Sequence, residues 1–170
     1  MIDYGRNRFV IDAEKAGWNC KLSTIEEDIK DHWDVEISKD DISLKVDVKA
    51  LKKINRKKDN DVNENIIWLE ILNKRNNIGW TYGKADGAFF ELKESWIYVS
   101  LKDLQKVIKE KLKMDENDIP KLMDDPFQYN LVYEPEKGFY TLYKRLYGFD
   151  ITTYVLTRDI IPYIKHLILK

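Results

Sequence analysis

The chain reads as an α/β protein with a mixed, mainly antiparallel sheet flanked by helices. Three observations predict it. Residues 6–17 and 101–113 carry apolar side chains at helical spacing, residues 33–37 and 42–49 alternate apolar and polar with period two, and residues 85–92 and 96–100 form two adjacent strand-like runs. A chain of 170 residues, 44% hydrophobic and 12% aromatic, has enough apolar material for one core.

Each element has a local reason. Phe9, Val10, Ala13 and Ala16 share one side of the first helix, which Gly17 stops. Residues 18–22 form a short strand. Ser23 or Thr24 caps a short helix whose opening acids Glu26, Glu27 and Asp28 suit its N-terminal dipole. Residues 66–72 are apolar on both faces, which predicts a central strand. Residues 73–83, with Asn76-Asn77, Gly79 and Gly83, are a loop. Ser100 caps a helix to about residue 113, with Asp103 as its capping-box acid. Residues 114–126 connect to short strands near 131–133, 139–143 and 152–156, followed by a terminal helix over about 158–169 with Pro162 near its first turn.

The most informative stretch is the pair of alternating runs. With Ser38-Lys39-Asp40-Asp41 as a four-residue turn, Ile37 faces Ile42, Val35 faces Leu44 and Trp33 faces Val46. One face of this hairpin is then wholly apolar. The other carries Asp34, Lys45, Asp47 and Lys49, with Asp34 diagonal to Asp47 at roughly 7 Å between backbones. Two carboxylates at that spacing can converge on one divalent metal, with the Lys49 ammonium beside them.

Overall charge is uninformative: 29 basic against 30 acidic residues leave a net charge of −1. Local charge says more. Lys45, Lys49, Lys52, Lys53, Arg56, Lys57 and Lys58 follow one another with Asp47 the one acid among them, a run suited to neutralising phosphates. Cys20 is the only cysteine, so no internal disulfide and no cysteine-built zinc cluster can form, which suits a reducing cytoplasm. No apolar run reaches membrane-spanning length and no secretory leader is evident. The chain lacks a phosphate-binding Gly-x-x-x-x-Gly-Lys loop, hence a nucleotide cofactor site of that kind, and a Gly-x-Ser-x-Gly elbow. Its two histidines, His32 and His166, make no zinc pair.

The order helix, strand meander, Asp34 on one strand and Asp47-Val48-Lys49 on the next resembles the PD-(D/E)XK nuclease superfamily, in particular its small phage-type and Holliday-junction-resolvase-like members. The likeness runs through Glu27-Asp28-Ile29, His32-Trp33-Asp34, Val46-Asp47-Val48-Lys49, Ile67-Trp68-Leu69-Glu70 and the segment Gly79 to Asp86. It covers most of residues 6–113 and, more weakly, the end. The superfamily more often has Glu where this chain has Asp47. The resemblance implies a restriction-endonuclease-like core over residues 1–113, with a small strand/helix extension over 114–170 packed on the same domain. It implies a Mg²⁺- or Mn²⁺-dependent nuclease acting on DNA, branched DNA included, of phage or mobile-element origin, working in the cytoplasm (the host's, if viral) and as a homodimer.

In that reading Asp34, Asp47 and the Val48 carbonyl hold the metal, Lys49 orients the attacking water or stabilises charge on the phosphorane, and Glu14 on the first helix is an additional acid. Lys45, Lys52, Lys53, Arg56, Lys57 and Lys58 track the phosphate backbone. His32 is a phosphate or proton-transfer contact and Glu70 a second-metal ligand, each with a structural role as the alternative. Asp86 hydrogen-bonds neighbouring backbone. The competing readings are a catalytically inactive nucleic-acid-binding member of the same fold, or an inhibitor that grips a host protein through Tyr129, Tyr133, Phe139, Tyr140, Tyr143 and Tyr147.

Overall fold

The computed structural model describes residues 4–51, 63–124, 142–144 and 150–170. It is a mixed α/β structure. Lys52, Lys53, Arg56, Lys57 and Lys58 lie outside the described residues, as do Tyr129, Tyr133, Phe139, Tyr140, Tyr147 and the strand expected at 131–133.

The elements run α1 (Tyr4–Lys15), β1 (Asn19–Leu22), α2 (Ile25–Asp31), β2 (Val35–Lys39), β3 (Ile42–Lys49), β4 (Ile66–Leu72), a 3₁₀ turn (Trp80–Tyr82), β5 (Gly87–Glu91), β6 (Ser95–Ser100), α3 (Leu101–Leu112), α4 (Ile119–Asp124), β7 (Tyr143–Lys144), β8 (Ile151–Leu156), α5 (Thr157–Ile160) and β9 (Ile164–Leu169). Among the described residues the strands make two sheets. The larger has the order β1-β2-β3-β5-β6-β9 and the smaller β4-β8-β7. Every pairing is antiparallel except β3 with β5, where Asp47 stands beside Ala88 and Lys49 beside Phe90.

Two apolar cores sandwich the larger sheet. On one face α1 packs Phe9 and Ala13 onto Val35, Ile37, Val46, Val48, Phe89 and Trp96. Phe9 sits 4.7 Å from Phe89 and 5.3 Å from Trp96, ring centroid to centroid, in tilted and edge-on contacts that each add about 0.5–1.5 kcal/mol beyond area burial. On the other face the smaller sheet and α3 close over Ala88, Phe90, Ile97 and Val99 with Ile67, Leu69, Ile71, Leu104 and Ile108. Asp47 and Lys49 project toward this second layer, because they alternate with Val46 and Val48.

Several expectations change. The β2–β3 turn is two residues, not four: Lys39 pairs with Ile42, Ile37 with Leu44 and Val35 with Val46, and Asp40 takes a left-handed φ of 52°. The shift is by two, so every side chain keeps its face. Trp33 does not join Val35; it packs into the opposite core with Trp80 and Ala88, as the chain turns out of α2 just before β2. Strand β4 is not central in the large sheet but an edge of the small one. Its buried Ile67, Leu69 and Ile71 alternate with exposed Trp68 and half-buried Glu70. The terminal helix ends at Ile160, and Pro162 opens a 3₁₀ turn. Ile164–Leu169 then adds an outer strand beside β6. The C-terminal segment therefore supplies β7 and β8 to the smaller sheet and β9 to the larger.

Candidate functional site

The site begins with the short helix α2. Thr24 caps it: the Glu27 N–H donates to Thr24 Oγ1 at 3.2 Å, and the Thr24 N–H donates to Glu27 Oε2 at 2.9 Å. His32 ends the helix with a left-handed φ of 57°. Gly83 lies against this turn so closely that a Cβ there would come within 2.8 Å of the His32 Cβ. Asp31 fastens the same corner, accepting the Lys84 N–H at its carbonyl (2.9 Å) and the Lys84 ammonium at its carboxylate (2.7 Å).

This corner delivers Asp34, whose main chain is clamped on both sides. Its N–H donates to the Val46 carbonyl at 2.8 Å, and its carbonyl accepts the Ser23 N–H at 2.9 Å. Asp34 lies just before the paired register, which ends at Val35 and Val46, and it comes near enough to Asp47 to act on it by charge and hydrogen bonding. The side chain accepts the Val48 N–H at 2.7 Å through Oδ2, and Arg6 of α1 stands 3.9 Å from Oδ1. Because N–H and C=O of one strand residue point to the same side, the Val48 carbonyl also faces the edge where Asp34 lies.

Asp47 is 5% exposed. Lys49, two residues on and on the same face, stands 2.8 Å from its Oδ2, and the Lys49 ammonium rests 4.6 Å from the centre of the Trp80 ring. Burial, and then the like charge and hydrogen-bonding proximity of Asp34, push the Asp47 carboxyl up to about 7 against the opposing pull of Lys49. Burial acts against the charge on Lys49, but Asp47, Asp34 and Glu70 outweigh it and raise its pKa. Asp34, Asp47 and Lys49 are thus brought together by one hairpin.

The other expected residues fall out unevenly. Glu70 of β4 is half-buried and its charge bears on Lys49. His32 is the α2 cap, close enough to act on Asp28. Lys45 is exposed, its ammonium 4.7 Å from the Trp33 ring centre. Asp86 hydrogen-bonds backbone distant in sequence rather than that of its neighbours, accepting the Lys45 N–H at 2.8 Å. Glu14 is not brought to the pair. It is exposed and its charge acts on Cys20, because eight residues separate it from Arg6, about 12 Å along the helix.

Asp28 is the acid that sequence reasoning passed over as a helix-start residue. Burial and then Asp34 raise its carboxyl, while Arg6, Lys49 and His32 pull the other way, so α2 sets a third carboxyl near the pair. The available signal was position: Asp28 lies one helical turn before His32, on the element that leads into Asp34.

Among the described residues no group of three or more His, Cys, Asp or Glu side chains is arranged to enclose a metal ion. Two carboxylates and a main-chain carbonyl are the groups here that could hold an ion, and such hard oxygen ligands are the kind Mg²⁺ takes while keeping several waters of its own. In the protein alone the two carboxyls face two cations, Lys49 2.8 Å from Asp47 and Arg6 3.9 Å from Asp34. No helix of the described residues is long and apolar enough to cross a membrane. Comparison with protein-family models, curated proteins and solved structures finds no match to this chain.

Proposed function

We propose that this chain is a Mg²⁺-dependent nuclease of the PD-(D/E)XK type that hydrolyses phosphodiester bonds in DNA, branched DNA included. The observation that carries the reading is the buried Asp47 carboxyl, held against Asp34 with the Lys49 ammonium 2.8 Å away. Groups with strongly displaced pKa values gather at sites of chemistry, and this one combines burial with a like-charge neighbour. A core of the restriction-endonuclease kind is supported by the β2–β3 hairpin, the parallel β5 beside it and α1 packed across the far face.

Asp34, Asp47 and the Val48 carbonyl would hold the ion. Bound there, it would supply Lewis-acid polarisation of a phosphate and acidification of water. Lys49 is held beside Asp47 and over the Trp80 ring. There it orients the nucleophilic water or donates to the phosphorane oxygens as charge builds. Arg6 offers a second cation beside Asp34. Asp28, whose carboxyl burial and then Asp34 push upward, adds a third acid near the pair.

The test is incubation with linear, circular, single-stranded and four-way-junction DNA, and with RNA, with and without Mg²⁺ or Mn²⁺. Cleavage that requires the metal and disappears in Asp47→Ala is expected. Absence of cleavage on every substrate, with a folded protein and metal present, overturns the reading.

A further inference from the structure

Each acid of the site already faces a cation of the protein. Asp34 accepts the Val48 N–H through Oδ2 at 2.7 Å, so Oδ1 is the oxygen left for a metal, and Arg6 of α1 stands 3.9 Å from it. Asp47 faces the Lys49 ammonium through its own Oδ2 at 2.8 Å. An ion shared by Asp34 and Asp47 therefore enters against two positive charges, whose repulsion is stronger here than in open water.

The two cations lie on the outer side of the acids. The Arg6 and Lys49 side chains are 26% and 28% exposed, against 14% for Asp34 and 7% for Asp47. An anion arriving from solvent meets the cations before the carboxylates. Both charges also bear on Asp28, so they surround one group of acids rather than two separate ones. The Arg6–Asp34 separation exceeds hydrogen-bond reach, which leaves charge as the link between those two atoms. A guanidinium presents a planar fork that matches phosphate oxygens, and an ammonium presents a point charge.

We infer that Arg6 is a phosphate-binding residue held beside Asp34 in the free protein, and that divalent metal and substrate phosphate bind together, Asp34 and Asp47 passing to the metal as Arg6 and Lys49 pass to the phosphate. Each ligand removes an obstacle to the other, and linkage makes the coupling equal in both directions. The inference rests on the metal and phosphate binding of the nuclease reading and requires no turnover.

The experiment measures Mn²⁺ affinity by electron paramagnetic resonance without nucleic acid, and DNA affinity by fluorescence anisotropy with and without Mn²⁺. The DNA is a labelled phosphorothioate strand, alone and annealed to its complement, which resists hydrolysis but keeps its charge. A methylphosphonate strand of the same sequence has no backbone charge. Wild type, Arg6→Ala, Arg6→Lys and Asp47→Asn are compared, with thermal melting to confirm folding. Arg6→Ala is expected to bind Mn²⁺ alone about 2- to 5-fold more tightly, the size of one weak ion pair released, and Arg6→Lys to stay near wild type. Mn²⁺ is expected to tighten wild-type binding of the phosphorothioate DNA by about 5- to 150-fold, by less in Arg6→Ala and not at all in Asp47→Asn. The methylphosphonate strand gains nothing. Unchanged or weaker Mn²⁺ binding in a folded Arg6→Ala protein, or wild-type DNA affinity indifferent to Mn²⁺, overturns the inference. Coupled binding without cleavage of ordinary DNA under Mg²⁺ or Mn²⁺ leaves it standing and removes the hydrolase; metal-dependent cleavage with uncoupled binding does the reverse.

Discussion

Glu91 and Asp47 are both buried carboxylates on neighbouring strands of the same sheet, and their surroundings drive them in opposite directions. Glu91 accepts a bidentate pair from Arg8 (3.1 and 2.7 Å), the Leu51 N–H at 2.9 Å and the Lys170 ammonium at 2.9 Å. Burial alone would raise its pKa, but those donors overwhelm it and hold the carboxyl down at about 2. Asp47 has one cation and a second carboxyl for a neighbour, and is pushed up to about 7. The first acid is satisfied by the protein itself, joining α1, the chain after β3 and the C-terminal strand. The second keeps its proton to higher pH, because its one cation does not outweigh burial and the neighbouring carboxyl. Such an incomplete environment is what a site awaiting a cation and an anionic substrate requires.

The largest effects should come from the unsatisfied site. Lys49→Ala and Asp47→Ala are each expected to lower the cleavage rate by about 10²–10³-fold or more, measured as initial rates on the best DNA substrate, with circular dichroism unchanged. A variant that cuts at the wild-type rate would break the comparison from its functional side.

Next is Glu91→Ala, which should cost stability. Removing one partner of a buried ion pair typically costs 3–5 kcal/mol, but Arg8 is half exposed and can return to water, so about 2–3 kcal/mol is expected. Urea unfolding measures it. A loss below about 0.5 kcal/mol, the range of ordinary surface substitutions, would mean the knot is decoration.

The pH dependence of metal-free stability separates the two acids by sign. Glu91, lowered in the fold, contributes stability that is full above its ordinary value of 4.5 and is lost as pH falls toward 2. Asp47, raised in the fold, holds a proton that the unfolded chain has released between its ordinary value of 3.8 and about 7, so its contribution declines as pH rises through that window. Melting curves in EDTA should show wild type losing stability from pH 5 to 8 and Asp47→Asn losing less. Parallel curves would contradict the assignment. The smallest effect sharpens the edge of the site: Asp28→Asn should change the rate only a few-fold and shift the metal concentration needed for half-maximal cleavage.

How much of this was legible depended on how local each cause is. The capped helices α2 and α3, the β5–β6 hairpin and the β2–β3 pair rest on Thr24, Ser100 and alternating side chains, all within a few residues of one another. The hairpin register differs by two from the one the turn suggests, and parity survives such a shift, so the paired side chains keep their faces. What was hidden is tertiary. Trp33 crosses to the other core, β4 leaves the main sheet, and Ile164–Leu169 pairs with β6 instead of coiling. Asp28 reaches the pair only because α2 folds back toward Asp34, which no period in the sequence encodes.

The account turns on whether Asp34 and Asp47 share a divalent cation. The direct measurement is a Mn²⁺ titration at pH 8 followed by electron paramagnetic resonance, on wild type and on Asp47→Asn, without nucleic acid. Wild type should take up Mn²⁺ with release competed by Mg²⁺, and Asp47→Asn should leave the same Mn²⁺ free in solution. Equal uptake by both proteins, or none by wild type, would contradict it.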